Sequence, residues 1–383
     1  MNETRLRALS GIEPLHTGPG SASRLLSQLP SGPIAVVIGT GLPGRPGPAR
    51  DLLLRLEQAF PCLRLPLATE PSDLWVDHAR EAARGFRVNT VLSLGGGSVL
   101  DAGKALAALL TEAEPARRYL EGVGDLPPSG RMLPWFALPA TAGTGSEAST
   151  NAVLSRPGPG GFKKSLRHPD YRPAGLALDP DLTRDLPPLW TAACGMDAIT
   201  QLLEAWSSRR CPSDLRPELE TAILAAIPAL ERAATRAPDA DSADRQILLD
   251  AAFLSGLGLS RAGLGTCHGL AGPIGARRPL PHAILCARLM APCLAETLHW
   301  LRTHPDHSPQ SLAAFQTLLG RLSGWHPDPL RRLLEWRDVF HIPPLAQSGF
   351  SREDLQAVLP AASNRGSPAA LPTDCWKRIL ETA

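Results

Sequence analysis

Through the first half of the chain, short runs of β-branched and leucine residues alternate with stretches whose apolar positions recur at helical spacing. Ile34–Ile38, Cys62–Leu67 and Thr90–Leu94 read as strands, separated by helices from about Pro48, around Asp77–Arg84 and after Ser98. Trp135–Leu138 and Gly175–Leu178 read as further strands. Strands separated by helices imply parallel crossovers, so the pattern predicts a doubly wound, Rossmann-like parallel sheet. After about Leu186 the strand signal stops. Helical spacing takes over in Thr191–Trp206, Leu215–Ala233, Ala243–Leu259, His282–Leu298, Leu312–Leu322 and Leu330–Val339. The chain is therefore expected to divide into an α/β domain, residues 1–186, and an all-α domain, residues 187–383, with the boundary near Asp185–Pro188.

At 383 residues, 43% hydrophobic and 20% charged, the chain is long enough to bury a sizeable core in two or three domains. Lys+Arg 39 against Asp+Glu 37 leaves a net charge of +2, and basic residues pair only briefly, at Lys163-Lys164, Arg277-Arg278 and Arg331-Arg332. That excludes a nucleic-acid partner. Charged residues interrupt every apolar stretch before it reaches membrane-spanning length, and MNETRLRALSG lacks the apolar segment of a signal peptide. No membrane partner is expected. The 7 cysteines are an odd number with no CxxC pair, which fits free thiols in a reducing cytoplasm.

The strongest local signal for chemistry is Leu94-Gly95-Gly96-Gly97-Ser98, which joins a strand directly to a helix. Glycines let a ligand approach the backbone, and the N–H groups of the first helical turn favour a phosphate there, so the α/β half is expected to bind a nucleotide. A second loop, Pro139–Glu147, alternates small hydroxyl residues with glycine and suits contact with a flat cofactor. In the helical half, Asp197 and Gln201 lie one turn apart, and His268 and His282 sit in sparsely charged surroundings. Together they form a candidate oxygen and nitrogen site for Fe(II) or Zn(II). Taken alone, each feature also has a plainer reading: a turn, a buried histidine, a first-turn helix acid.

In order and spacing, GGGSVLDAGK, LPATAGTGSE, DPDLTRDLPPLWTAACGMDAITQLLEAW and GLGTCHGLAGPIGARRPLPHAILCA resemble the signature blocks of the iron-containing (group III) alcohol dehydrogenase family. That family includes maleylacetate reductases and glycerol dehydrogenases and shares its fold with dehydroquinate synthase. The resemblance runs from about Gly18 to the C-terminus and implies an active site in the cleft between the two domains. It implies that Gly95, Gly96, Gly97 and Ser98 bind the pyrophosphate, that Asp101 lies near the nicotinamide, and that Thr141, Thr144 and Lys163 contact the cofactor. Asp197, His268 and His282 match three of four metal ligands and are the expected catalytic residues. The chain departs from the family at two positions. Gln201 stands where most members have the fourth ligand, a histidine, and Gly272 where many have another histidine.

The function this implies is an NAD(P)-dependent oxidoreductase that interconverts an alcohol and its aldehyde or ketone by hydride transfer, with the carbonyl polarised by a labile Fe(II) or Zn(II) ion bound by Asp197, Gln201, His268 and His282. The loop Ile38-Gly39-Thr40-Gly41-Leu42-Pro43-Gly44-Arg45 carries no acid to repel a 2′-phosphate, so Gly39, Thr40 and Gly41 are expected to contact NADPH in preference to NADH. Three alternatives stand beside this: a metal-independent, maleylacetate-reductase-like enzyme with Arg277 and Arg278 as an anion pocket, a dehydroquinate-synthase-like lyase, and a nucleotide-binding pseudoenzyme. The expected partner is a small alcohol or aldehyde, with assembly as a homodimer left open.

Overall fold

The run Ile34–Gly39 forms a buried strand whose alternate side chains serve two cores: Ala35 and Val37 join one apolar cluster, while Ile34, Val36 and Ile38 join another. In the computed structural model, which describes every residue except 159, 237–238, 305–308, 324–327, 329 and 365, this strand is β2. With it run β1 (Leu15–Thr17), β3 (Cys62–Leu67), β4 (Thr90–Gly95), β5 (Trp135–Pro139) and β8 (Gly175–Leu178). They form a 6-stranded sheet of order β1-β8-β5-β4-β2-β3 in which every neighbouring pair is parallel. Between β5 and β8, β6 (Asn151–Arg156) and β7 (Phe162–Arg167) make a separate antiparallel hairpin.

Helices α1 (Glu3–Ser10), α2 (Ser21–Leu26), α3 (Pro48–Ala59), α4 (Asp73–Gly85) and α5 (Gly97–Leu109) lie among the strands. Leu52, Leu53 and Leu56 of α3, at helical spacing, cover one face of the sheet. After Leu178 the described residues contain helices and no strand: α6 (Pro188–Ser207), α7 (Arg216–Arg236), α8 (Ser242–Ala262), α9 (Thr266–Arg277), α10 (His282–Thr303), α11 (Pro309–Ser323), α12 (Arg331–Val339), α13 (Arg352–Val358) and α14 (Thr373–Thr382). One apolar cluster runs from Leu100 and Trp135 under the sheet to Met196, Ile199 and Leu254, so the two halves share a core. Among the described residues, no single helix is long and apolar enough to cross a membrane. The sequence pattern does not predict β1, the β6–β7 hairpin or α9.

A buried ammonium fixes the segment that links β5 to β6. Lys104 of α5 is fully buried, and its Nζ donates to the carbonyl oxygens of Ser146 at 2.6 Å, Ser149 at 2.8 Å and Asn151 at 2.7 Å, and to Ser149 Oγ at 3.0 Å. Burial lowers its pKa to about 8, against the opposing pull of Asp101 and Glu147. Glu147, also buried, is raised from 4.5 to about 7, mainly by the same loss of water.

Replacing the ammonium by a shape-matched apolar group takes a charged donor from three carbonyls, of which Ser146 O keeps the Ser149 amide. Lys104→Met should therefore cost about 3–5 kcal/mol, read as a lowered urea midpoint at unchanged m-value. Glu147 carries a separate pH signature. In the folded protein it keeps a proton that the unfolded chain releases above 4.5, so stability falls as pH rises from 4.5 to about 7. The effect is at most about 3 kcal/mol, and denaturation of Glu147→Gln across that window should show the decline flattened.

Candidate functional site

The sheet's carboxyl edge and the helical half enclose a cleft of about 290 Å³. Its lining includes Gly97, Ser98, Asp101, Thr144, Lys163, Gln201, His268 and His282. β4 ends at Gly95 and α5 begins at Gly97, which sets the glycine loop at the carboxyl end of a parallel strand. Because β3 lies outside β2 and β4 lies on its other side, the strand order reverses between β2 and β4, where such sheets open a crevice. Gly39 ends β2 on that same edge, and the Thr40 amide donates to Leu67 O at 3.1 Å. Gly39, Thr40 and Gly41 are not among the residues lining the cleft.

The glycines also make room for neighbouring protein. A Cβ on Gly97 would lie 2.4 Å from Thr144 Oγ1, and one on Gly96 would lie 3.2 Å from Thr141. The loop after β5 therefore packs directly onto the glycine loop. Gly145, at φ +61°, meets Gly256 of α8 so closely that a Cβ on Gly256 would sit 1.9 Å from Gly145 O. Asp101 accepts from Ser146 Oγ at 2.5 Å, and burial raises its carboxyl above the ordinary range. Lys163, carried by β7, pairs with Glu70.

Across the cleft, helices α6, α9 and α10 bring Asp197, His268, His282 and Cys286 together, with one ligand atom from each lying within 4.8 Å of the others. His268 Nε2 lies 3.2 Å from Asp197 Oδ1, and Cys286 Sγ lies 3.5 Å from His282 Nε2 and 3.7 Å from His268 Nε2. Behind them, Glu204 binds His268 Nδ1 at 2.7 Å with one carboxylate oxygen and accepts the Cys267 amide at 2.5 Å with the other. That bond holds a proton on Nδ1 and turns Nε2 toward the cluster. Gln201 lies one turn from Asp197, but its amide nitrogen donates to Thr144 O and to Ser255 Oγ, each at 2.9 Å. Both of its N–H bonds are committed, which leaves only the amide oxygen for other partners.

The charges in this cluster are unequal. Burial works against the Asp197 carboxylate, yet His282 and His268 hold its pKa below the ordinary range. Burial also opposes a charged His268, but the Glu204 and Asp197 carboxylates on its two ring nitrogens raise its pKa well above the usual value. His282 is lowered to about 4, by burial first and Lys163 second, and burial keeps Cys286 a thiol. Asp197 Oδ2 is buried without a hydrogen-bond partner. A buried carboxylate with a free oxygen, beside two imidazoles and a sulfur, has donor chemistry that fits a divalent cation.

The sequence reading missed Cys286, Glu204, Glu70 and Lys104. Two of these had a signal: Asp197, Gln201 and Glu204 recur at i, i+4 and i+7 in a helix otherwise made of small and apolar residues, and Cys286 follows His282 by one turn. Arg277 and Arg278 do not form an anion pocket. Both bind Asp354, with contacts of 3.2 and 3.0 Å, and neither lines the cleft.

Two family models match in tandem: "Iron-containing alcohol dehydrogenase" over residues 14–180 and "Fe-containing alcohol dehydrogenase family, C-terminal" over residues 191–375. The chain belongs to the iron-containing alcohol dehydrogenase family. It is similar to the probable alcohol dehydrogenase EutG of Salmonella typhimurium, 36% identical over 217 residues that cover 56% of this chain and 52% of that protein. It is also similar to the phosphonoacetaldehyde reductase of Streptomyces viridochromogenes, 35% identical over 266 residues, 66% of this chain and 64% of that one. In the first of these matches the chain spans about half the length of its relative. Among solved structures, sulfoacetaldehyde reductase from Bifidobacterium kashiwanohense in complex with NAD⁺ superposes with a TM-score of 0.79 at 20% identity, covering 96% of each chain. At that identity the likeness shows the shared fold.

The Glu204–His268 bond supports the cluster without joining it, so its loss should be read in metal affinity. Glu204→Gln should weaken divalent-ion binding by roughly 10–100-fold, measured by competition with a chromophoric chelator, while the far-ultraviolet spectrum is unchanged.

Proposed function

We propose that this member of the iron-containing alcohol dehydrogenase family is an NAD(P)-dependent oxidoreductase that interconverts an alcohol and its aldehyde or ketone. One observation carries the reading: Gly97 and Ser98, where the glycine loop opens α5, and His268 and His282, which cluster with Asp197, line a single cleft. When bound, a nicotinamide nucleotide exchanges hydride with the substrate carbon and a divalent ion polarises its oxygen.

The chain's own groups supply position and charge. In this reading Gly95, Gly96, Gly97 and Ser98, at the positive end of α5, receive the pyrophosphate, and Thr141 and Thr144 close over the cofactor. Asp197, His268 and His282 hold the ion. Glu204 fixes the tautomer of His268, and the depressed pKa of His282 keeps that ring a neutral donor. Glu70 holds Lys163 at the cleft wall. The names of the relatives, a probable alcohol dehydrogenase and an aldehyde reductase, support the reaction class. No acid stands between Gly39 and Gly47 to repel a 2′-phosphate, and Arg45 in that loop is exposed, which supports use of NADPH. With Arg277 and Arg278 bound to Asp354, the reading as a metal-independent reductase of an acidic substrate loses its anion pocket.

The test is oxidation of NADPH and of NADH by metal-loaded protein with a panel of aldehydes, both unsubstituted and bearing an anionic group. Turnover should be sensitive to chelator, absent in His268→Ala, and show a higher kcat/KM with NADPH. Equal turnover in metal-stripped protein overturns the role of the ion, and a clear NADH preference overturns the cofactor assignment. No consumption of either nucleotide with any carbonyl overturns the reaction.

A further inference from the structure

The family pattern has a histidine where this chain has Gln201, which leaves the fourth metal donor to be found. Gln201 is poorly suited to replace it, since Thr144 O and Ser255 Oγ hold its amide nitrogen and tie the side chain between the loop after β5 and α8. Cys286 is fully buried, and its sulfur faces the two imidazoles that the site already contains. The distances have a simple meaning. For a tetrahedral ion with metal–sulfur and metal–nitrogen bonds of ordinary zinc length, the sulfur-to-nitrogen separation is about 3.6 Å, and the nitrogen-to-oxygen separation is about 3.4 Å. The cluster shows 3.5 and 3.7 Å from sulfur to the two nitrogens, and 3.2 Å from His268 Nε2 to Asp197 Oδ1. Three of the six edges of such a tetrahedron are thus at coordination spacing, and all four donors lie within 4.8 Å of one another. Asp197 Oδ2, in a residue 1% exposed and without a partner, is the independent sign that this cluster is built to face a cation.

We propose that Cys286 Sγ is the fourth protein ligand, giving an Asp197, His268, His282, Cys286 site in which sulfur replaces the family's histidine. The proposal rests on the metal-dependent reading above and refines its ligand set. A thiolate adds a negative charge that an amide oxygen does not, so carboxylate plus thiolate balance a divalent ion within a buried site. Sulfur also shifts preference toward Zn(II) and Co(II) and away from Fe(II), the metal in the family's name. The helix provides the geometry: His282 and Cys286 are one turn apart on α10, so ligation by one sets the reach of the other. Gln201 then serves as a tie between the domains.

Co(II) tests this directly, because a thiolate ligand produces a near-ultraviolet charge-transfer band that oxygen and nitrogen ligands do not. Full-length protein, stripped with chelator and titrated anaerobically with Co(II), should show that band together with visible bands of tetrahedral intensity. Cys286→Ser and Cys286→Ala should lose the charge-transfer band and weaken Zn(II) binding by roughly tenfold or more, the scale found even for groups that merely support a ligand. Cys267→Ser should keep the band, and far-ultraviolet circular dichroism reports the fold of each variant. Co(II) binding without the band, or a band that survives in Cys286→Ser, overturns the sulfur ligand and leaves the metal-dependent reading standing. Loss of affinity in Gln201→Leu with none in Cys286→Ser assigns the fourth donor to the amide oxygen and overturns the proposal. Failure of the native chain to bind Co(II) or Zn(II) overturns both.

Discussion

The arrangement of the cleft depends on one buried charge. Lys104 carries its ammonium into the interior, where an uncompensated charge would be costly, and three main-chain carbonyls and a serine hydroxyl surround it. Those carbonyls belong to Ser146, Ser149 and Asn151, so the ammonium holds the loop after β5 and the first residue of the β6–β7 hairpin against α5. The consequences spread in both directions. Toward the nucleotide side, the same loop lays Thr144 on Gly97 and Thr141 on Gly96. Toward the helical half, Gly145 meets Gly256 and Thr144 O accepts from Gln201. The hairpin then brings Lys163 to the cleft wall. A single side chain on the helix that opens with the glycine loop thus sets the relative position of both halves of the site.

The helical side depends on a different economy of charge. Helix α6 is buried along nearly its whole length, yet it presents Asp197, Gln201 and Glu204 on one face. Glu204 is satisfied by His268 and by the Cys267 amide, and Gln201 by the loop and α8. Asp197 Oδ2 is buried and has no donor. The carboxylates beside His268 raise its pKa and so favour a proton on Nε2. A divalent cation would take the place of that proton on Nε2, so the cluster's electrostatics are already arranged around a positive centre.

How much of this could be read from the sequence follows from the range of each interaction. The central strands were legible because both faces are buried and their apolar runs are uninterrupted, as in Ile34–Ile38. β1 is 3 residues long and leaves no period to detect. Helix α9 was hidden for another reason: Thr266–Arg277 contains Gly269, Gly272, Pro273 and Gly275, a composition that disfavours helix in isolation. Tertiary contact overrides that preference, since Gly269 lies so close to Ser363 that a Cβ would meet its carbonyl oxygen at 1.5 Å, and Gly275 makes room for Lys163. The ligand candidates Asp197, His268 and His282 came from ordered motifs. The residues that orient them came from pairs far apart in sequence, such as Glu204 with His268, and no local pattern encodes such a pair.

Gly272 differs from its neighbours in a way that bears on the cleft itself. Gly269 is demanded by packing and Gly275 abuts the Lys163 side chain, but a Cβ at Gly272 would meet nothing within 4 Å. A glycine inside a helix costs about 1 kcal/mol relative to alanine, and here no close backbone approach requires it. Its position explains what it contributes. Gly272 lines the cleft one turn beyond His268, where the family resemblance implies a histidine. The absent side chain leaves that wall open, and the titratable rings that line the cleft are those of His268 and His282. The cleft is therefore open beside Gly272. Beside that open wall the cleft is bordered by Asp101, Lys163 and His268 and by the hydroxyls of Thr144, Ser146 and Ser149, in the loop that Lys104 holds in place.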